Sequence, residues 1–103
     1  MANVTGSFSA TGNGTAFTPN PGSFNNGAQF NISLWGTFVG TVVLECSFDG
    51  FTTAIPVNRY CTGTAVSYTA PANEVLPCPE GGVQYRLRCS AYTSGTANYR
   101  LSN

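Results

Sequence analysis

Apolar and polar residues alternate most clearly in the middle of the chain. Across residues 41–48, Val42, Leu44, Cys46 and Phe48 fall on one side, and Thr41, Val43, Glu45 and Ser47 on the other. A period of two with β-branched residues predicts a strand with one buried face. Gly36 and Gly40 precede it, and Asp49-Gly50 closes it with the positive φ angles that a tight turn needs. Residues 28–35 repeat the pattern, with Ala28, Phe30, Ile32 and Leu34 inward. Trp35 breaks the polar side and is expected at the rim of the fold or in an interface. Residues 83–92 form the other strong strand. Val83, Tyr85, Leu87, Cys89 and Ala91 face in; Gln84, Arg86, Arg88, Ser90 and Tyr92 face out. Thr93-Ser94-Gly95 reads as a hairpin turn into a last strand with Ala97, Tyr99 and Leu101 inward.

Weaker segments fill the remainder. Residues 1–10 alternate faintly and suit an edge strand. Residues 52–57 contain Pro56, which cannot donate to a ladder, so they also belong at an edge. Residues 64–70 place Val66, Tyr68 and Ala70 on one side, and residues 72–82 read as a loop with a brief extended piece at 74–76. The Gly-, Asn- and Pro-rich residues 11–27 are irregular, with Phe17 and Phe24 as anchors. They form either an ordered surface loop or an arm reaching a neighbouring subunit. No window shows helical spacing over two turns. The expectation is an all-β protein: one small antiparallel β-sandwich, Ig-like or jelly-roll-like, with six to eight short strands and no helix. Residues 1–27 supply the edge strand and arm, and residues 28–103 the body.

Composition narrows the function. The 103 residues suffice for one domain with a modest core. Only 8% are charged, against about 25% in an average soluble protein, and the formal net charge is zero. A chain without lysine lacks the basic footprint of a nucleic-acid binder. Near-zero charge favours association. The start of the chain has neither a basic run nor an apolar core, so no signal peptide is expected, and no apolar run is long enough to span a membrane. With no histidine and no lysine, the usual general base and Schiff-base donor are missing. Glu45 and Asp49 sit either side of a turn, and Glu74 and Glu80 fall in the Pro-rich region, so no catalytic pair is expected. No cofactor and no metal are expected either.

Cys46, Cys61, Cys78 and Cys89 contain no close pair of the kind that zinc sites use. Two readings remain. As disulfides, Cys46–Cys89 with Cys61–Cys78 is the pairing to test first. As products of a reducing compartment, all four stay free thiols, with Cys46 and Cys89 serving as small apolar residues. Arg86, Arg88 and Arg100 share the outward face of the last two strands on this reading. Glu45 can pair with Arg86 or Arg88 if their strands are neighbours, and the remaining positive charge suits an interface.

Two segments, FNISLWGTFVGTVVLECSFDG at residues 30–50 and VQYRLRCSAYTSGTANYRLS at residues 83–102, resemble a family of small virion proteins of tailed bacteriophages. That family carries a WGTFVGTVxLxRSFDGG-type block and a YRLxxxxYTSGTxxYRLS ending. Here Cys46 replaces a common Arg, Phe51 follows the Asp-Gly, and Ala54-Ile55 stands where a Trp is common. The resemblance implies a β-sandwich structural protein that decorates or cements the head. The major capsid protein would be its partner, as a dimer or trimer on a virion assembled in the host bacterial cytoplasm. No catalytic residues come with it. Phe17, Phe24, Trp35, Arg86, Arg88, Tyr92 and Arg100 are the candidate interface residues. A tail or neck position is an alternative. Another is a carbohydrate-binding or adhesion module stacking sugars on Trp35, Tyr60, Tyr68 and Tyr92.

Overall fold

The computed structural model describes residues 3–19, 29–58, 63–77 and 83–103. Nine strands lie among them: β1 (Asn3–Phe8), β2 (Gly12–Asn13), β3 (Gln29–Trp35), β4 (Phe38–Ser47), β5 (Ile55–Pro56), β6 (Ser67–Tyr68), β7 (Ala72–Pro77), β8 (Gln84–Gly95) and β9 (Ala97–Ser102). The count exceeds the six to eight expected because three of them are two-residue pieces on sheet edges. There is no helix among the described residues. One sheet runs β1-β9-β3-β7. The other runs β2-β8-β4-β5, with β6 also on β4.

The pairings β1 with β9, β2 with β8, β3 with β7, and β4 with β5 and β6 are all antiparallel. The first half of the chain is thus folded back along the second as one long hairpin. Rolling that hairpin into two layers joins β9 to β3 and β8 to β4. This is the strand order of a jelly roll, and it decides between the two sandwich types expected.

The core lies between the layers and is built from the alternating residues. Phe30, Ile32 and Leu34 from β3, Ala97, Tyr99 and Leu101 from β9, Val42 and Leu44 from β4, and Tyr85, Leu87 and Cys89 from β8 are all buried. Phe30 joins the sheets through ring contacts with Tyr85 (4.6 Å between centroids) and Phe17 (5.8 Å). Phe8 stacks on Tyr99 at 5.1 Å. Each such pair contributes about 0.5–1.5 kcal/mol beyond its buried area.

Four departures from the expected pattern have identifiable causes. Thr93-Ser94-Gly95 does not make a hairpin: β9 pairs with β1 and β3, so the chain changes sheet at Thr96. The β3–β4 connection changes sheet beside it, and the Thr96 amide donates to the Thr37 carbonyl at 2.9 Å. Gly36 (φ 111°) and Gly95 (φ 86°) permit this crossing; a Cβ on either would strike the Thr96 or Thr37 carbonyl. Second, the β4–β8 register skips Ser90 and Thr93, which form bulges. Parity therefore flips: Ala91 becomes exposed, and Tyr92, expected outward, packs half-buried against the core.

Third, Ser47 is fully buried and Phe48, expected inward, is 62% exposed, because β4 ends there and the chain turns. Fourth, the segment read as a loop contains β7, six residues long and paired with β3 throughout. In exchange, the strand expected over 64–70 shrinks to β6 with Val66, and Ala70 is exposed. Residues 11–19 are no free arm. β2, Gly14 and Phe17 bond along β8, and Phe17 is 1% exposed. Phe17 is a core residue, which removes it from the candidate interface. Phe24 lies outside the described residues.

Candidate contact surface

The outer face of the β2-β8-β4-β5 sheet carries the most developed polar arrangement among the described residues. Glu45 on β4 stands directly opposite Arg86 on β8, and Arg88 follows two residues later on the same face, opposite Val43. Arg86 Nε donates to Glu45 Oε1 at 3.1 Å, and Arg88 Nε to Oε2 at 3.0 Å. Both arginines expected as partners of Glu45 engage it together, one on each oxygen. The Glu45 side chain is only 9% exposed, while that of Arg88 is 41% exposed. A carboxylate so enclosed would be costly to desolvate alone, and two guanidinium groups offset that cost.

The turn after β4 completes the cluster. The Ser47 hydroxyl donates to Asp49 Oδ1 at 2.7 Å and accepts from the amides of Asp49 (3.2 Å) and Phe51 (2.9 Å). Asp49 Oδ1 also accepts from the Thr53 amide at 2.9 Å. That amide first, and the Ser47 hydroxyl second, hold the Asp49 carboxyl below the usual carboxylate range. So tied, the turn carries Phe51 back over β8, where its ring lies 4.2 Å from the Arg86 guanidinium carbon. Phe51 has φ 65°, the left-handed region that glycine favours. This is the position where the resembling block has its second glycine. The ring contact on Arg86 compensates part of the backbone strain. Sequence reasoning missed this placement. Its available signal was the Ser-x-Asp-Gly spacing, which favours side-chain-to-backbone turns.

The other candidate residues scatter. Arg100 is on β9, in the opposite sheet, exposed and in register with Thr5 and Ser33. The expected three-arginine face is therefore two arginines on one side of the molecule and one on the other, because β8 and β9 part at the corner. Trp35 ends β3 and is 48% exposed on the outside of that second sheet, at its rim. Tyr92 donates its hydroxyl to the Gly95 carbonyl at 2.8 Å.

Cys46 and Cys89 are free thiols. They occupy neighbouring strands, but Cys46 faces Tyr85 and Cys89 faces Val42. That offset of four positions is about 13 Å along the ladder, roughly twice what a disulfide spans. The Cys46–Cys89 pairing is thereby excluded; Cys61 and Cys78 lie outside the described residues. Burial pushes both described thiols up. Cys46 also lines an open cleft of about 280 Å³ with Pro56, Val57, Leu76 and Tyr85.

Among the described residues no group of three His, Cys, Asp or Glu side chains is placed to hold a metal ion, and no helix is long and apolar enough to cross a membrane. The chain matches no family model, no curated protein and no solved structure.

Proposed function

We propose that this domain is a structural protein of a bacteriophage particle that binds the outside of the head shell and strengthens it by contact, without catalysis. The observation that carries the reading is the relation between the two resembling segments. They lie 33 positions apart in the chain (from residue 50 to residue 83), yet they supply β3, β4, β8 and β9 and are hydrogen-bonded to one another on both sides of the sheet-switching corner. The likeness therefore falls on the frame of the fold and includes both corner glycines. Jelly rolls are a recurrent architecture of viral shell domains, and also of lectins.

The charge balance supports association with a protein surface. Net charge is zero, and the outer face of the β8–β4 sheet offers two arginines already oriented by Glu45. We assign the contact surface there. One small domain binds weakly alone; as a dimer or trimer about a lattice axis, several such contacts act together through effective concentration. The glycan-binding alternative draws less support. Tyr68 is buried and Tyr92 turns toward the core. Tyr60 lies outside the described residues, and of the other three aromatics considered for sugar stacking only Trp35 is exposed.

Particles produced without the protein provide the test. They should release their genome at a lower temperature, and adding back purified protein should restore the release temperature. Equal release temperatures together with no rebinding would reject the head-decoration role; rebinding to tails or necks alone would move it there.

A further inference from the structure

We infer that Arg86 and Arg88 form a receptor for a carboxylate of an acidic segment in the partner protein; the inference rests on the contact surface proposed above and names its chemistry. A guanidinium group has five N–H donors. Each of these two spends only its Nε donor on Glu45. Among the described residues no hydrogen-bond partner meets the Nη groups of either arginine, and none of these atoms is sealed from solvent. The Arg88 side chain is 41% exposed and that of Arg86 16%, so Arg88 is the more open of the two.

Three features make the pair receptive. Its members sit two residues apart on one strand face, about 7 Å from each other, and are bridged from beneath by one carboxylate. Arg86 is also held by the Phe51 ring, so part of the side-chain entropy that binding would cost has already been lost in folding. Finally, within the Arg86–Glu45–Arg88 triad itself two positive charges meet one negative, and the second carboxylate nearby, Asp49, is engaged by Ser47 and the Thr53 amide instead. The triad can therefore take one further carboxylate. Arginine's planar fork suits that ligand with paired hydrogen bonds. Nucleic acid fits poorly: its binding draws on many phosphate contacts, and this face offers two arginines already shared with Glu45, in a chain without lysine.

The experiment is an NMR titration of the ¹⁵N-labelled full chain at low salt with the peptide acetyl-Glu-Gly-Glu-Gly-Glu-amide. The controls are its Gln counterpart and a short single-stranded DNA. The Glu peptide should shift the Nε–H signals of Arg86 and Arg88 and the β4 and β8 amides around them, saturably, while the Gln peptide leaves them in place. Arg88→Gln should weaken binding about 2- to 5-fold, the value of one exposed charged pair; Arg100→Gln, on the opposite sheet, should leave it unchanged. Equal shifts with the Gln peptide, shifts elsewhere on the surface, unaltered affinity in Arg88→Gln, or tighter binding of DNA would each overturn the inference. Particle rebinding separates it from the broader proposal. If Arg88→Gln rebinds particles as well as wild type, the receptor is wrong and decoration stands. If wild type takes the peptide at this site but never rebinds particles, the receptor stands and decoration fails.

Discussion

Three consecutive residues of β4 put the two-layer account under strong test. Leu44 is 1% exposed in the core, Val43 is half-buried on the opposite face, and Glu45 is enclosed on that same opposite face by arginines. Leu44→Ala removes three carbons. At about 0.8 kcal/mol per methylene the transfer loss is about 2.4 kcal/mol. Incomplete collapse of the cavity, flanked by two sheets that cannot close upon it, raises the total to about 3–4 kcal/mol. For a domain of this size that lowers Tm by about 12–25 °C. Val43→Thr keeps shape and replaces one methyl by a hydroxyl that reaches water, so about 1 kcal/mol or less is expected. Urea unfolding followed by far-ultraviolet circular dichroism measures both. Similar losses in the two variants would mean that apolar material covers both faces of β4, and the assignment of an inner and an outer face would be wrong.

Further expectations follow from the same geometry. Removing Glu45 leaves two arginines facing each other, so Glu45→Gln should cost more stability than Arg88→Gln, and a double-mutant cycle should show coupling of ~0.5 kcal/mol or more; additive losses would contradict the shared carboxylate. Asp49 has its folded-state pKa depressed, so its contribution is present above the unfolded carboxylate pKa and is lost as pH falls through the folded value. Asp49→Asn should therefore flatten the acid limb of stability against pH, and an unchanged limb would refute the turn's role. Gly95→Ala, at φ 86° and against the Thr37 carbonyl, should cost at least about 1–2 kcal/mol; a wild-type Tm would contradict the corner. Alkylation under denaturing, non-reducing conditions should add four groups, one per cysteine, with Cys89 slower than Cys46 in the native protein; a mass short of two or four groups would show a disulfide.

Much of the frame was legible because long strands with one buried face declare themselves by parity. Phe30, Ile32 and Leu34, then Val83, Tyr85, Leu87 and Cys89, then Ala97, Tyr99 and Leu101 all face the core as their alternation requires. Parity failed where the chain inserts a residue or changes layer. Nothing in Ser90 or Thr93 marks a bulge, because that feature depends on the partner strand. Thr93-Ser94-Gly95 has the composition of a hairpin, yet the same positive-φ glycine also serves a corner between sheets. β7 was obscured by Pro71 and Pro77 at its ends and by Glu74, which shares the inward parity of Leu76 and accepts the Tyr68 hydroxyl at 2.6 Å. A buried tyrosine thus makes an inward-pointing carboxylate tolerable. In the candidate surface, pairing of Glu45 with Arg86 and Arg88 followed from parity once β4 and β8 were neighbours. Placement of Phe51 on Arg86 did not, since it depends on the path of the turn rather than on a repeating pattern. The separation of Arg100 from the other two arginines was hidden for the reason the corner was.

The central claim is one of location, and a particle reconstruction tests it most directly. In a density map of the phage particle, the jelly roll should be found on the outside of the head at symmetry-related positions. The β8–β4 face, with Arg86 and Arg88, should be turned toward the shell protein. Density for the domain at the tail or neck, or a head surface without it, would contradict the account.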